Sequence, residues 1–310
     1  MDPLCHTLVG AGLAEAGLKR RTRLGAITLL LAVNLPDVDI LAGLTGHTLG
    51  FRRGWTHGVV AWVAMPLALT ALVLAWDRWG PGRPAAQRVV PRQVWLLATV
   101  GVLTHPFLDW TNVYGVRLLM PFSERWFYGD ALFIIDPWLW ILLGAGVAWS
   151  LVRARRRRRA APGPARASLV LAGLYIAGML TLTSVARRAV ARELGLRGRV
   201  SPRALMIAPV LLNPVNRDVV ISLPEEYWFG IVGWTPRPEL RLWGGEVRKN
   251  HDLPLLQRVE PSSEWRQFQR WARFPFYTVE GDPAAPRVRA DDARYTWGER
   301  SWAAVSLPVR

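Results

Sequence analysis

Apolar positions are laid out in two different ways along the chain. Over residues 1–186 they run on in long stretches, Gly58–Trp76, Val94–Leu108, Ala131–Val152 and Ser168–Ala186. Most of these approach or exceed the ~18–20 residues that carry a helix across a bilayer. Two further stretches, Pro3–Leu18 and Leu24–Ile40, are shorter or interrupted, the first by Glu15 and the second by Pro36-Asp37-Val38-Asp39. Tryptophans at or near the ends of the runs (Trp76, Trp79, Trp95, Trp110, Trp149) suit the aromatic belts of a membrane interface. From about Leu196 the apolar runs become short and are divided by turn residues. Residues 218–223, 227–232, 239–243 and 276–279 read as strands, and Ser263–Arg273 reads as a helix. The pattern predicts a mainly α, polytopic membrane domain with about four to six membrane-embedded helices (residues 1–186). A small soluble antiparallel β domain of α+β character follows (187–310). Pro3–Leu18 lacks a basic leader and carries Glu15, so it is not expected to be a cleavable signal peptide.

Charge refines this picture. The 310 residues include 39 Lys+Arg and 23 Asp+Glu, a formal net charge of +16, which by itself would suggest a nucleic-acid partner. The positions of the charges argue otherwise. With six embedded segments, one set of loops holds 15 basic residues, in Lys19–Arg23, Arg78–Arg92 and Arg153–Arg166. The alternate set holds only Arg52, Arg53, Arg117 and Arg125. This bias places the first set in the cytoplasm and makes Arg155–Arg159 an anchor at lipid headgroups. Membrane lipid is therefore the expected partner, and nucleic acid is not. One cysteine excludes a disulfide framework and a multi-cysteine zinc site, and 20% charged residues exclude a mainly disordered chain. No phosphate-binding loop, dinucleotide fingerprint or serine-nucleophile elbow is visible.

This topology gathers the acids and histidines of the first region on one side. Asp2, His6, Asp37, Asp39, His57, His105, Asp109, Asp130 and Asp136 all fall at or near non-cytoplasmic segment ends, as do four of the five histidines, all but His251. Ionisable groups at membrane depth are costly, so their clustering marks a functional site. His105 and Asp109, at i and i+4, share one helix face and suit a single metal ion, or else a plain His–Asp hydrogen bond. Pro106 between them suggests a kink or a fresh helix start. Pro36 ends regular helix near Leu35 and leaves Asp37 and Asp39 in a turn, either aimed inward or capping a short helix. Arg52-Arg53-Gly54-Trp55-Thr56-His57 puts a histidine at a helix entry beside two arginines, which would hold an anion or anchor headgroups. Cys5, beside His6, is either a ligand or a small buried apolar residue. Taken together, His6, Asp37, Asp39, His57, His105 and Asp109 offer mixed nitrogen and carboxylate donors that suit zinc or manganese. A carboxylate left over among Asp37, Asp39, Asp130 and Asp136 would serve as general base or orient a ligand histidine.

The segments MDPLCHTLVG, NLPDVD, RRGWTH, HPFLDWTNVYGVRLLMPFSERW and IIDPW, in that order, resemble the bacterial membrane-bound metal-dependent hydrolase family, the LexA-regulated inner-membrane hydrolase-like proteins. The resemblance covers about residues 1–140 and extends weakly to RFPFYTVEG and DDARY. It implies a hydrolase site at His6, Asp37, Asp39, His57, His105 and Asp109. Arg52 departs from it where a histidine is expected, and Gly58 where a serine is common. The order His, Asp, His, His-x-x-x-Asp is also similar to that of zinc-dependent phospholipase C and single-strand nucleases. The chain lacks their further His and His-x-x-x-Glu ligands, so this similarity implies one or two metals and a phosphoester or lipid-linked substrate. From these readings the expected ligands of a divalent metal, zinc or manganese, are His6, Asp37, His57, His105 and Asp109. Asp39, Asp136 and Arg53 take catalytic roles, with Arg53 steadying an anionic substrate.

Overall fold

The structure is a computed structural model that describes residues 1–45, 48–79, 88–157, 160–196, 204–259, 262–297, 300–301 and 304–309. His47, Arg83, Arg158, Arg159 and Trp302 lie outside the described residues. The chain divides into two compact units, Met1–Ile40 with Arg53–Leu180, and Leu41–Arg52 with Thr181–Arg310.

Among the described residues, seven α-helices precede the first strand. They are α1 (Pro3–Glu15), α2 (Gly25–Asn34), α3 (Thr48–Phe51), α4 (Ala61–Trp79), α5 (Pro91–Trp110), α6 (Pro137–Arg157) and α7 (Gly163–Leu196). Local chemistry starts several of them. Asp2 caps α1 by accepting from the Cys5 amide (3.1 Å), with Pro3 as the first helical residue. Pro91 opens α5, and Asp136 caps α6 by accepting from the Leu139 amide (3.0 Å). Arg155–Arg157 close α6, where cations suit the negative end of the helix dipole. Among the described residues, four helical stretches are long and apolar enough to cross a membrane: Gly25–Leu44, Ala61–Trp79, Pro137–Arg157 and Gly163–Gly195. With 13 residues, α1 is too short to span. At 20 residues α5 is long enough, but it carries Arg92, Gln93, His105 and Asp109.

In the first unit α5 packs on α2 and on α4, and α1 packs on α2 and on α6. The buried stripe of α5 runs Val94, Leu97, Ala98, Gly101, Val102, His105, Leu108, Asp109, so a single helical face turns from apolar to ionisable in its last turn. Gly101 is the closest point of the α2–α5 crossing. A Cβ there would come within 2.5 Å of the Ala32 Cβ, so only glycine allows the approach. The helix runs through Pro106 without a break, whereas Pro36 coincides with a change of structure. There α2 gives way to a 3-10 helix, Leu35–Thr45, that carries Asp37 and Asp39.

In the second unit β1 (Ala204–Val210), β2 (Asn213–Ser222), β3 (Glu226–Trp234) and β4 (Pro238–Leu242) form an antiparallel sheet in sequence order, with β5 (Val247–Arg248) also paired to β3. One face of this sheet packs Ile207, Val219, Ile221, Val232 and Leu240 against Ala186, Val190 and Leu194 of α7. Helix α8 (Ser263–Trp271) begins at Ser262, whose hydroxyl accepts from the Trp265 amide. Then come β6 (Pro275–Glu280), β7 (Arg287–Asp292), the short pair β8 (Thr296–Trp297) and β9 (Arg300–Ser301), and β10 (Val305–Pro308). β10, β7 and β6 make a second antiparallel sheet, in that order. The molecule thus joins a region of membrane helices to a C-terminal antiparallel β domain, the class that the apolar patterning predicts.

Candidate metal centre

Three pieces of the first unit converge on Asp109: the 3-10 helix after α2, the turn before α4 and the last turn of α5. Asp37, His57, His105 and Asp109 each offer a donor atom, and these atoms all lie within 4.8 Å of one another. His57, His105 and Asp109 are fully buried, whereas the Asp37 side chain keeps 13% of its exposure. Both Asp37 carboxylate oxygens are nevertheless buried, so all four donors lie inside the protein.

The proton positions follow from the outer partners. His105 Nδ1 lies 2.7 Å from the Val33 carbonyl oxygen, which can only accept, so Nδ1 carries the proton and Nε2 is left as a lone pair. The Val33 carbonyl is available because of Pro36. Where α2 passes into 3-10 pairing, the residue three places on from Val33 is a proline, which has no N–H to donate. The other histidine is set in a similar way. The Thr56 hydroxyl donates to Asp39 Oδ2 (3.3 Å) and accepts from His57 Nδ1 (2.9 Å), and Asp39 Oδ2 lies 3.5 Å from that nitrogen. His57 Nε2 is then also a lone pair. The two Nε2 atoms face each other at 3.1 Å, and Asp109 Oδ2 lies 3.1 Å from one and 3.4 Å from the other. These three atoms, one of them also met by the Arg53 guanidinium at 3.1 Å, form a donor set that suits a cation. Nitrogens bound tetrahedrally at ~2.0–2.1 Å stand roughly 3.3 Å apart, so the donors fit a divalent ion.

The remaining predicted residues surround this group. The His6 ring stacks on His105 with centroids 3.7 Å apart, and its Nε2 lies 3.3 Å from Asp109 Oδ1. The Met1 amino nitrogen bonds the same oxygen. Arg53 is buried and adopts the left-handed region (φ 51°), which directs its amide to Asp39 Oδ2 (2.7 Å) and its carbonyl to the Arg117 amide (2.9 Å). Its guanidinium meets Asp109 Oδ2 (3.1 Å), Asn112 Oδ1 (3.1 Å) and the Gly115 carbonyl (3.3 Å), and it stacks over the Tyr114 ring. Those contacts make Arg53 a clamp on Asp109. Asp39 lies behind His57, as an orienting acceptor. Asp136 is engaged elsewhere, capping α6 and accepting from the Tyr175 hydroxyl (3.0 Å). Cys5 is buried and free. Asp130 is buried with φ 52°, in the segment that follows α5. Sequence reasoning does not single out Thr56, Asn112 or the Val33 carbonyl; the first two lie inside the quoted motifs, but only the fold shows what they hold. The glycine at 58 has a steric cause, since a Cβ there would overlap the Met120 carbonyl oxygen.

The model of a family described as YdjM inner membrane protein matches residues 1–187. Over 124 residues, 39% of this chain and 35% of the relative, the sequence is 27% identical to the uncharacterized protein YfhP of Bacillus subtilis (strain 168). Over 131 residues, 41% of this chain and 66% of the relative, it is 32% identical to the inner membrane protein YbcI of Escherichia coli (strain K12). The chain thus covers less than two thirds of either relative. No solved structure matches it.

Proposed function

The chain belongs to the YdjM inner membrane protein family, and on that premise we propose that it is a membrane-bound, metal-dependent hydrolase acting on a phosphoester or lipid-linked substrate. The observation that carries this reading is the pair of Nε2 atoms of His57 and His105, 3.1 Å apart beside the Asp109 carboxylate. His57, His105, Asp109 and Asp37 would hold the ion, zinc or manganese by their mixed donors, with His6 beside Asp109. A bound ion of this kind supplies Lewis acidity and lowers the pKa of a water toward neutrality.

The other residues prepare the site. Val33, and Thr56 with Asp39, would hold the two imidazoles in the tautomer that points lone pairs inward, which supports ligation. Arg53, itself held by Asn112, keeps Asp109 in place. Asp37, with Oδ1 3.7 Å from His105 Nε2, is the second carboxylate of the donor group and would complete the ligand set or take a proton from a bound water. The similarity to phospholipase-type ligand order supports a phosphoester, and the setting among membrane helices supports a lipid-linked one. The distribution of basic residues supports an opening toward the non-cytoplasmic face, with the C-terminal domain on that side.

A second reading has its own support. Asp109 is already met by Arg53 and the Met1 nitrogen, as expected of a closed structural site. Elemental analysis of detergent-purified protein, with His105→Ala and Asp109→Asn beside it, separates the two. Hydrolase chemistry requires about one or two zinc or manganese ions per chain, lost in both variants together with phosphoesterase activity while the helical circular dichroism persists. Metal that is lost without any hydrolytic activity in the wild type favours the structural reading. A wild type that takes up no metal, even after refilling, overturns both.

A further inference from the structure

The second unit contains a cleft of about 1110 Å³ between its two sheets, beyond the residues that the family model matches. Strand register identifies its walls. In β2, Val219 and Ile221 point to the helix-packed face, so Asp218 and Val220 point the other way. Directly opposite Asp218 stand Ala208 of β1 and Ile231 of β3; opposite Val220 stand Met206 and Phe229. The first wall is therefore apolar and aromatic apart from Asp218, with Trp243 at its edge, 55% exposed. The second wall is the face of β6 and β7 that carries Phe276, Thr278, Glu280, Arg289 and Asp291.

Most of the charge on these walls is already paired. Arg289 bonds both carboxylate oxygens of Asp291 (2.8 and 3.1 Å) and approaches Glu280 at 4.0 Å. Arg294 is fully buried against Asp292 at 2.8 Å. Asp218 is different: it makes no hydrogen bond or ion pair among the described residues. Burial in the apolar wall pushes its carboxyl up to about 6, the cost of holding it there without a partner. An anion is a poor occupant beside an unpaired carboxylate. A hydrated metal ion would find one free carboxylate in a wall of aromatic and aliphatic groups, where it needs several oxygens. An organic ammonium meets both features, because aromatic faces attract cations and the carboxylate supplies the opposite charge.

We propose that this cleft binds an organic ammonium group, with Asp218 as its counter-ion and Trp243 and Phe229 as its aromatic walls. The group can come from a free amine or from the headgroup of a zwitterionic lipid, and the chemistry of recognition is the same.

The test uses the full chain in a maltoside detergent, titrated calorimetrically with choline, with ethanolamine and with 3,3-dimethylbutan-1-ol, the neutral isostere of choline. We expect one of the ammonium compounds to bind. Asp218→Asn should weaken it at least tenfold, and Trp243→Leu several-fold, while the weaker binding of the alcohol is unchanged by Asp218→Asn. Both variants are mild for the fold, since one removes an unpaired charge and the other changes an exposed side chain. Repeating the titration in nanodiscs identifies the source. Free-amine affinity reduced in phosphatidylethanolamine discs relative to phosphatidylglycerol discs assigns the site to a lipid headgroup. Equal affinity assigns it to a soluble amine. Absence of ammonium binding, or binding that Asp218→Asn leaves unchanged in a folded protein, overturns the proposal.

Discussion

Both units bury ionisable side chains, but they treat them in opposite ways. In the β unit nearly every buried charge is closed against a partner. Arg294 lies on Asp292, Arg289 on Asp291, and the Lys249 ammonium donates to the Ser222 hydroxyl (2.9 Å) and the Leu223 carbonyl. In the helical unit three acceptors, His57 Nε2, His105 Nε2 and Asp109 Oδ2, are brought face to face. Burial alone therefore does not mark a site. Asp109 Oδ2 is itself met by the Arg53 guanidinium, so what sets the helical unit apart is the facing pair of imidazole nitrogens beside that ion pair.

The comparison is broken most directly at its centre. Asp109→Asn should remove bound metal to below detection and lower any hydrolytic rate by about a thousandfold or more, because it removes a ligand and its charge; metal retained at wild-type stoichiometry would show that the donors serve another purpose. Asp292→Ala tests the opposite kind of burial. It leaves the Arg294 guanidinium unpaired at zero exposure, at a cost of about 3–5 kcal/mol, to be read from denaturant unfolding of the β unit, with metal content unchanged. Thr56→Val removes the link between His57 and Asp39 while keeping the shape. It should weaken metal binding by about 10–100-fold in competition with a chelator, and full affinity would remove Thr56 from the site.

The smallest effect concerns Asp218, the exception in the β unit. Its folded pKa, about 6, lies above the unfolded value of ~3.9, so the folded state holds the proton more tightly. The favourable contribution is present at low pH and is lost as pH rises through about 6. Asp218→Asn should therefore stabilise the β unit at pH 7.5 by about 1 kcal/mol, a few degrees in Tm, and leave it unchanged near pH 4. The carboxylate is partly open to solvent, which keeps the figure small.

These contrasts also explain what the sequence makes legible. The i, i+4 pair of His105 and Asp109 reads directly from the chain because one helix supplies both residues. Long apolar runs show the spanning helices for the same reason: the property is local. In β2, β3 and β4 alternation is legible because one face packs against α7. β7 escapes the pattern because its second face carries Arg287, Arg289 and Asp291 toward the cleft and its ion pairs, so RVRADD lacks the look of a strand. Arg53 reads as a substrate arginine, since nothing in RRGWTH says that Asn112 and Asp109 will meet it from fifty residues away. Contacts of that range are made by the fold.

Pro36 carries a further consequence. A backbone position without a hydrogen leaves the Val33 carbonyl to take one from His105, and the ring then has none on the side facing its neighbours. The proline thus acts as a remote selector of tautomer, transmitting an absence across two helices. Restoring the amide with Pro36→Ala would let the backbone compete for that carbonyl, and the nitrogen-15 shifts of His105 would report the two tautomers exchanging. The orientation of a donor in the candidate site is thus set in part by the covalent chemistry of a residue that is not one of its donors.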